Sequence, residues 1–154
     1  MLNFESTHVT PYIVALIEEV QPNISKAELI SSYEVDPELV LTADLHWMAR
    51  AVTNLLSNAC KFASHNIFVK VHELDQYIVI DIEDDGPGIP KDVQERIFDA
   101  FYRPDEGRTR AYGGAGLGLA IVRRIQQWHE GDCQVQDSML GGVKFTLRYP
   151  RHDR

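Results

Sequence analysis

Three residues spaced for one face of a helix, Asn54, Asn58 and Lys61, are the first in this 154-residue chain whose types can do chemistry. Helical residues three and four apart are neighbours, so all three project from one strip. Carboxamide oxygens ligate hard cations such as Mg²⁺, and a lysine ammonium meets phosphate oxygens. Alone, the strip also reads as a solvated polar face, although asparagine is a poor helix former for that role. The turn "EDDGPGIP", residues 83–90, supplies a second element. Asp84 can accept a hydrogen bond from an exocyclic amino group, while Gly86 and Gly88 permit a sharp turn and close approach by a flat ligand. Such a carboxylate tells adenine from guanine, whose O6 would face it acceptor to acceptor, and one buried polar contact of this kind rejects the mismatch by about ten-thousandfold. An ordinary turn rich in Asp, Gly and Pro has the same composition.

The third element is "AYGGAGLGLAIVRR", residues 111–124, which puts four of the ten glycines within six residues before turning into good helix formers. Unpaired N–H groups and the positive end of the dipole draw phosphate to a helix N-terminus, and glycine lets the backbone approach it. A flexible linker is the alternative. Two familiar phosphate loops are excluded. Gly113 and Gly118 have the P-loop spacing, but Leu119 and Ala120 follow instead of Lys and Ser or Thr. Gly114, Gly116 and Gly118 are spaced G-x-G-x-G after the polar "EGRTRAY", not G-x-G-x-x-G after an apolar strand.

Periodicity gives the elements that must hold these groups. From Asp44 to about Ala63 the spacing predicts a long amphipathic helix, with Leu45, Met48, Val52, Leu55, Leu56, Ala59 and Ala63 in one arc and Asn54, Asn58, Lys61 and His65 opposite. "PYIVALIEEV" reads as a short opening helix. "AELISSYEVDPELVL" reads as a strand, a turn at Asp36 and Pro37, and a short edge strand. "NIFVKVHEL" and "QYIVIDIEDDG" form a hairpin turning near Asp75, and "PKDVQERIFDAF" starts a short helix at Pro90. A polar loop from Arg103 to Tyr112 leads through the glycines to a helix from about Gly116 to His129. "CQVQD" and "GGVKFTLRY" close the chain as strands. Strands and helices in mixed order, with a hairpin, imply an α+β protein: a two-layer α/β sandwich with a mixed sheet.

Composition narrows the partners. A net charge of −8 argues against a general nucleic-acid surface. No apolar run reaches a membrane span, and "MLNFESTHVT" lacks a signal-peptide layout. Cys60 and Cys133 form no C-x-x-C pair and read as buried thiols. His8, His46, His65, His72, His129 and His152 show no metal spacing and read as surface or partly packed residues. Trp47 and Trp128 read as core or interface anchors. "RHDR" after Pro150 reads as a frayed tail.

"NLLSNACKF", "DDGPGI", "IFDAFYR" and "GGAGLGLAI", in this order, resemble the N, G1, F and G2 boxes of the ATP-binding domain of sensor histidine kinases, in the superfamily of gyrase, Hsp90, histidine kinases and MutL. The resemblance covers about residues 8–150, and within the kinases it is greatest to RstB- and PhoQ-like membrane sensors. It implies a Bergerat fold binding ATP with Mg²⁺ between the long helix, the G1 turn and a lid. Asn58 then matches the Mg²⁺-ligating asparagine, with Asn54 beside it. Lys61 matches the basic residue at the phosphates and Phe62 the aromatic beside the base. Asp84 matches the adenine-reading aspartate, with Gly86 and Gly88 shaping the pocket and Ile89 lining it. Arg103 stands where the family places an arginine near the transferring phosphate. Gly114, Gly116 and Gly118, with Leu117 among them, match the lid glycines. Phe98 and Phe101 are expected to pack the short helix and lid base; Arg108 and Arg110 are lid contacts or solvated charges.

Asn54 separates kinase from hydrolase. The superfamily's hydrolases place a glutamate there to activate water, and a carboxamide cannot act as that base. Phosphoryl transfer needs chiefly positioning and charge neutralisation. The histidine-acid acceptor motif with its following proline is missing, so residues 1–154 read as one catalytic domain without its dimerisation and histidine-phosphotransfer hairpin. The implied partners are that hairpin domain and a downstream response regulator. The implied location is the cytoplasmic side of an inner-membrane sensor, and the piece itself is expected to be monomeric. A nucleotide-dependent binding module and an anti-sigma-factor-type serine kinase are the other readings. Ala63, where Ser or Thr is frequent, and Glu130 before Gly131, where two glycines are common, depart from the pattern.

Overall fold

The computed structural model describes residues 2–20, 30–35, 38–99 and 118–151, with backbone only for 30–35. Its elements run β1 (Phe4–His8), α1 (Val9–Val20), β2 (Ile30–Val35), β3 (Val40–Asp44), α2 (Leu45–Phe62), β4 (Ile67–Leu74), β5 (Tyr77–Asp84), α3 (Lys91–Gln94), α4 (Gly118–Trp128), β6 (Asp132–Asp137) and β7 (Val143–Pro150). Five strands form one sheet in the order β2-β4-β5-β7-β6, and β1 pairs with β3 in a separate ribbon. Only β2 runs parallel to its neighbour β4; the other pairs are antiparallel. This is the expected α+β sandwich with a mixed sheet.

Alternation builds the sheet's inner face. Ile67, Val69 and Val71 of β4, Ile78, Ile80 and Ile82 of β5, and Val143, Phe145, Leu147 and Tyr149 of β7 are all buried against α1, α2 and α4. On the other face a polar row crosses three strands: Thr146 Oγ1 donates to Asp81 Oδ1 at 2.6 Å, and His72 Nε2 lies 3.0 Å from Asp81 Oδ2. The β4–β5 hairpin pairs Leu74 with Tyr77, so Asp75 and Gln76 make the turn. Asp75 takes a φ of 58°, which its short side chain tolerates better than most.

Three expectations need correction. The edge strand expected in "PELVL" exists as β3, but it pairs with β1, from Phe4↔Asp44 to His8↔Val40. Nothing local announces β1, because its residues are polar or exposed and show no apolar alternation. Asn58 is not on a solvated face: it is 9% exposed. At 3.6 residues per turn it falls only about 20° from Ala51, at the edge of the buried arc rather than opposite it. His129 is neither surface nor partly packed, at 2% exposure. Its Nε2 accepts from the Asp44 N–H at 3.0 Å and its Nδ1 donates to the Ile125 carbonyl at 2.8 Å, which fixes the tautomer through its partners. Asp36, Pro37, Phe101, Arg108, Arg110 and His152 lie outside the described residues.

Asp44 caps α2 by accepting from the Trp47 N–H at 3.2 Å. Trp47 and Trp128 meet edge to face with centroids 5.2 Å apart, tying α2 to α4. Phe98 packs edge-on against Phe145, centroids 6.0 Å apart. Cys60 and Cys133 are free thiols, only half-buried rather than buried as expected, and that burial pushes them up to about 11 and about 12. Glu130 adopts a φ of 60° just after α4, a conformation that glycine holds with less strain. Among the described residues no helix is long and apolar enough to cross a membrane.

Candidate nucleotide site

The end of β5 and the turn after it place Asp84 at the bottom of a cleft. The turn is held from both sides by close backbone contacts. Gly86 lies so near the Phe62 carbonyl at the end of α2 that a Cβ would collide with it, and Gly142 is pressed in the same way against Asp84. Gly88 has a φ of +82°, where glycine is at ease. The Gly86 N–H donates to Asp84 Oδ1 at 2.9 Å, and the Val143 N–H donates to the same oxygen at 3.4 Å. Asp84 Oδ2 accepts no hydrogen bond among the described residues. Asp84 is 2% exposed, and burial raises its carboxyl above the ordinary value against the pull of those two N–H donors, with Asp85 adding to the rise.

The neighbouring Asp85 has the opposite environment. It accepts from the Ser64, His65 and Asn66 N–H groups and from Asn66 Nδ2, at 2.8 to 3.3 Å. Burial works to raise it, but these donors prevail and hold it at about 2. Asp85 therefore fastens the exit of α2 to the G1 turn, and Asp84 is left for a ligand.

The cleft is lined by Asn58 and Phe62 of α2, Asp84, Pro87, Gly88 and Ile89 of the turn, Leu119 of α4, and Val143 and Phe145 of β7. The structure thus brings together Asn58, Phe62, Asp84, Gly88 and Ile89, five of the residues singled out from sequence, with Gly86 immediately behind. The Asn58 carboxamide has no hydrogen-bond partner among the described residues. Lys61 is exposed on the same helix. Asn54 is turned away from Asn58: its Nδ2 donates to the Gly118 carbonyl at 3.2 Å, and it borders a separate hollow with Arg50, Ile121, Arg124 and Trp128. Gly118 opens α4, and a side chain there would meet nothing within 4 Å. Arg103, Gly114, Gly116 and Leu117 lie outside the described residues.

Sequence reasoning missed Leu119, Val143 and Phe145 as walls and Gly142 as the support of Asp84. The paired glycines of "GGVKF" were the available signal, but only the β5–β7 pairing shows what they touch.

A mainly apolar cleft with one carboxylate oxygen unpaired among the described residues suits an aromatic base bearing an amino group. An unpartnered carboxamide at its mouth suits a hard cation. Residues 43–153 match the family described as Histidine kinase-, DNA gyrase B-, and HSP90-like ATPase. The chain belongs to that family. Relatives of this ATPase family include the autoinducer 2 sensor kinase/phosphatase LuxQ of Vibrio harveyi, 36% identical over 135 residues that cover 82% of this chain and 16% of LuxQ. The sensor protein PhoQ of Escherichia coli K12 is 30% identical over 151 residues, covering 98% of this chain and 30% of PhoQ. The chain therefore spans less than a third of either relative. The crystal structure of full-length ShkA in complex with AMPPNP superposes with a TM-score of 0.84 at 27% identity, covering 97% of this chain and 31% of ShkA. The resemblance to sensor histidine kinases drawn from the four boxes is borne out by these members of the family.

Proposed function

We propose that this chain is the catalytic, ATP-binding domain of a sensor histidine kinase, with residues 1–154 forming one domain. It would bind ATP with Mg²⁺ and present the γ-phosphoryl group to a histidine on a separate helical-hairpin domain of the same kinase, from which a response regulator takes it. The observation that carries this reading is the buried Asp84, lining an apolar cleft with one oxygen unpaired among the described residues. In its ionised form that oxygen accepts from an adenine amino group and repels guanine O6. Phe62 would lie beside the base and Ile89 line its pocket. Asn58 would hold Mg²⁺, which when bound neutralises phosphate charge, whereas Asn54, expected beside it, is tied to the Gly118 carbonyl and borders the separate hollow. Lys61 and Arg103 supply the positive groups, and Gly114, Gly116, Leu117 and Gly118 the lid at the N-terminus of α4. Asn54 cannot activate water, which favours transfer over hydrolysis. The domain works on the cytoplasmic side of an inner-membrane sensor, is monomeric by itself and binds no nucleic acid.

The test is calorimetric titration with a non-hydrolysable ATP analogue and its guanine counterpart, each with and without Mg²⁺. Adenine-selective binding strengthened by Mg²⁺ is expected, followed by phosphorylation of a supplied acceptor hairpin. Equal binding of both bases, or steady hydrolysis without transfer, would overturn the reading.

A further inference from the structure

Gln94 closes α3, where its N–H donates to the Pro90 carbonyl at 2.9 Å, and is only 8% exposed, while its side chain serves no bond within that helix. Its Nε2 donates twice, to the Ile89 carbonyl at 2.8 Å and to Asp137 Oδ1 at 2.8 Å. Both protons of one buried amide are thus spent on two segments remote from each other in sequence. Ile89 is a wall of the cleft, and Asp137 ends β6. The next residue, Ser138, donates its N–H to the Gly142 carbonyl at 2.9 Å, and the Gly142 N–H donates to the Asp84 carbonyl at 3.1 Å. The bonds form a closed circuit from Asp84 through Gly142, Ser138, Asp137 and Gln94 to Ile89. Between Ile89 and Asp84 the turn is fastened at Asp85 and Gly86, while Gly88, beside Ile89, has a backbone that by itself constrains little.

We infer that Gln94 is a positioning residue for base recognition, holding the Ile89 wall at a fixed distance from the Asp84 carboxylate by bracing it against the β6–β7 hairpin. This deepens the proposed function and rests on it. Loss of the brace lets the slot widen. The adenine contact, which depends on both walls, then weakens, while the phosphate end keeps its own groups.

Gln94→Met keeps the length and helix propensity of the side chain and removes both donors. Calorimetry with ADP and with the non-hydrolysable ATP analogue is expected to show about the same tenfold loss for each, as the removal of two hydrogen bonds to buried acceptors predicts. The strengthening by Mg²⁺ is expected to stay as in the unaltered protein, and discrimination against the guanine analogue to shrink. Asp137→Ala removes only the outer tie and should lose about threefold. In the nucleotide-free protein, the Ile89 methyl resonances should move in both variants. Affinity within twofold of the unaltered protein for both variants, or equal losses for adenine and guanine analogues, would show a merely structural glutamine and overturn the inference. If the unaltered protein itself fails to bind the adenine analogue, the functional reading falls first; unmoved Ile89 resonances would then sink the brace separately.

Discussion

At the N-terminal end of α2 the polar groups of Asp44, His129 and Tyr12 are paired and the apolar ones locked, the buried Tyr149 hydroxyl being an exception among the described residues. Asp44 accepts from Asn3 and Trp47, its own N–H is taken by His129, and Tyr12 Oη donates to the Leu45 carbonyl at 2.7 Å. Around them Phe4 and Tyr149 pack on the His129 ring, with centroids 5.1 and 5.3 Å away. At the C-terminal end the Asn58 carboxamide and one oxygen of Asp84 have no hydrogen-bond partner among the described residues, while Asp85 and the other Asp84 oxygen hold the turn. Unpaired buried polar groups destabilise a protein unless something arrives to satisfy them. The first end of the helix holds the fold together, and the second carries groups that the proposed nucleotide would satisfy.

Three substitutions would break or sharpen this contrast. Asp84→Asn should weaken adenine-nucleotide binding by about a thousandfold, because its amide meets an amino group donor to donor. Thermal stability at neutral pH should hold or rise. The reason is the sign of the shift: a carboxyl raised by burial stabilises the fold below its unfolded pKa, and that contribution is lost as pH rises through the raised value. The asparagine variant should lack this component of the pH–stability profile, and a drop in melting temperature at neutral pH would place Asp84 among the structural groups instead. His129→Ala should do the reverse, lowering stability by about 3 kcal/mol through lost packing and an orphaned Asp44 N–H. Nucleotide affinity of the folded fraction should change by less than about twofold, as for a distant site; a tenfold loss would show that the two ends are coupled. Asp85→Asn should give the smallest effect, about 1 kcal/mol at neutral pH after allowance for solvent screening. Its carboxyl is held below the ordinary 3.8, at about 2, so its contribution is complete above that ordinary value and fades as pH falls through 2. Urea titrations of both proteins should therefore converge at the acid end.

What the sequence made legible follows from how local each signal is. The α2 arc, the β4–β5 hairpin and the turn carrying Asp84 were readable because their periodicity and turn residues lie within a few positions of each other. Asn58 was found as a chemical group, but its burial was misjudged because it sits on the border between two faces. The roles of His129, Gly142 and Gln94 could not be read. Each acts on a partner 85, 58 or 43 positions away, through a backbone group or a single amide that no local pattern encodes. β1 was missed for a related cause, since its only reason to be a strand is the edge offered by β3.

The glycines at 86 and 142 also fix how this cleft can change under selection. Each is wedged where a side chain would strike the Phe62 carbonyl or Asp84 itself. An inhibitor resting on those two stretches of backbone meets a surface that no codon change can remodel without displacing Asp84, the carboxylate proposed to read the base. Resistance would then have to arise at the side-chain walls, Ile89, Leu119 and Val143, where a compound can be designed to lean least.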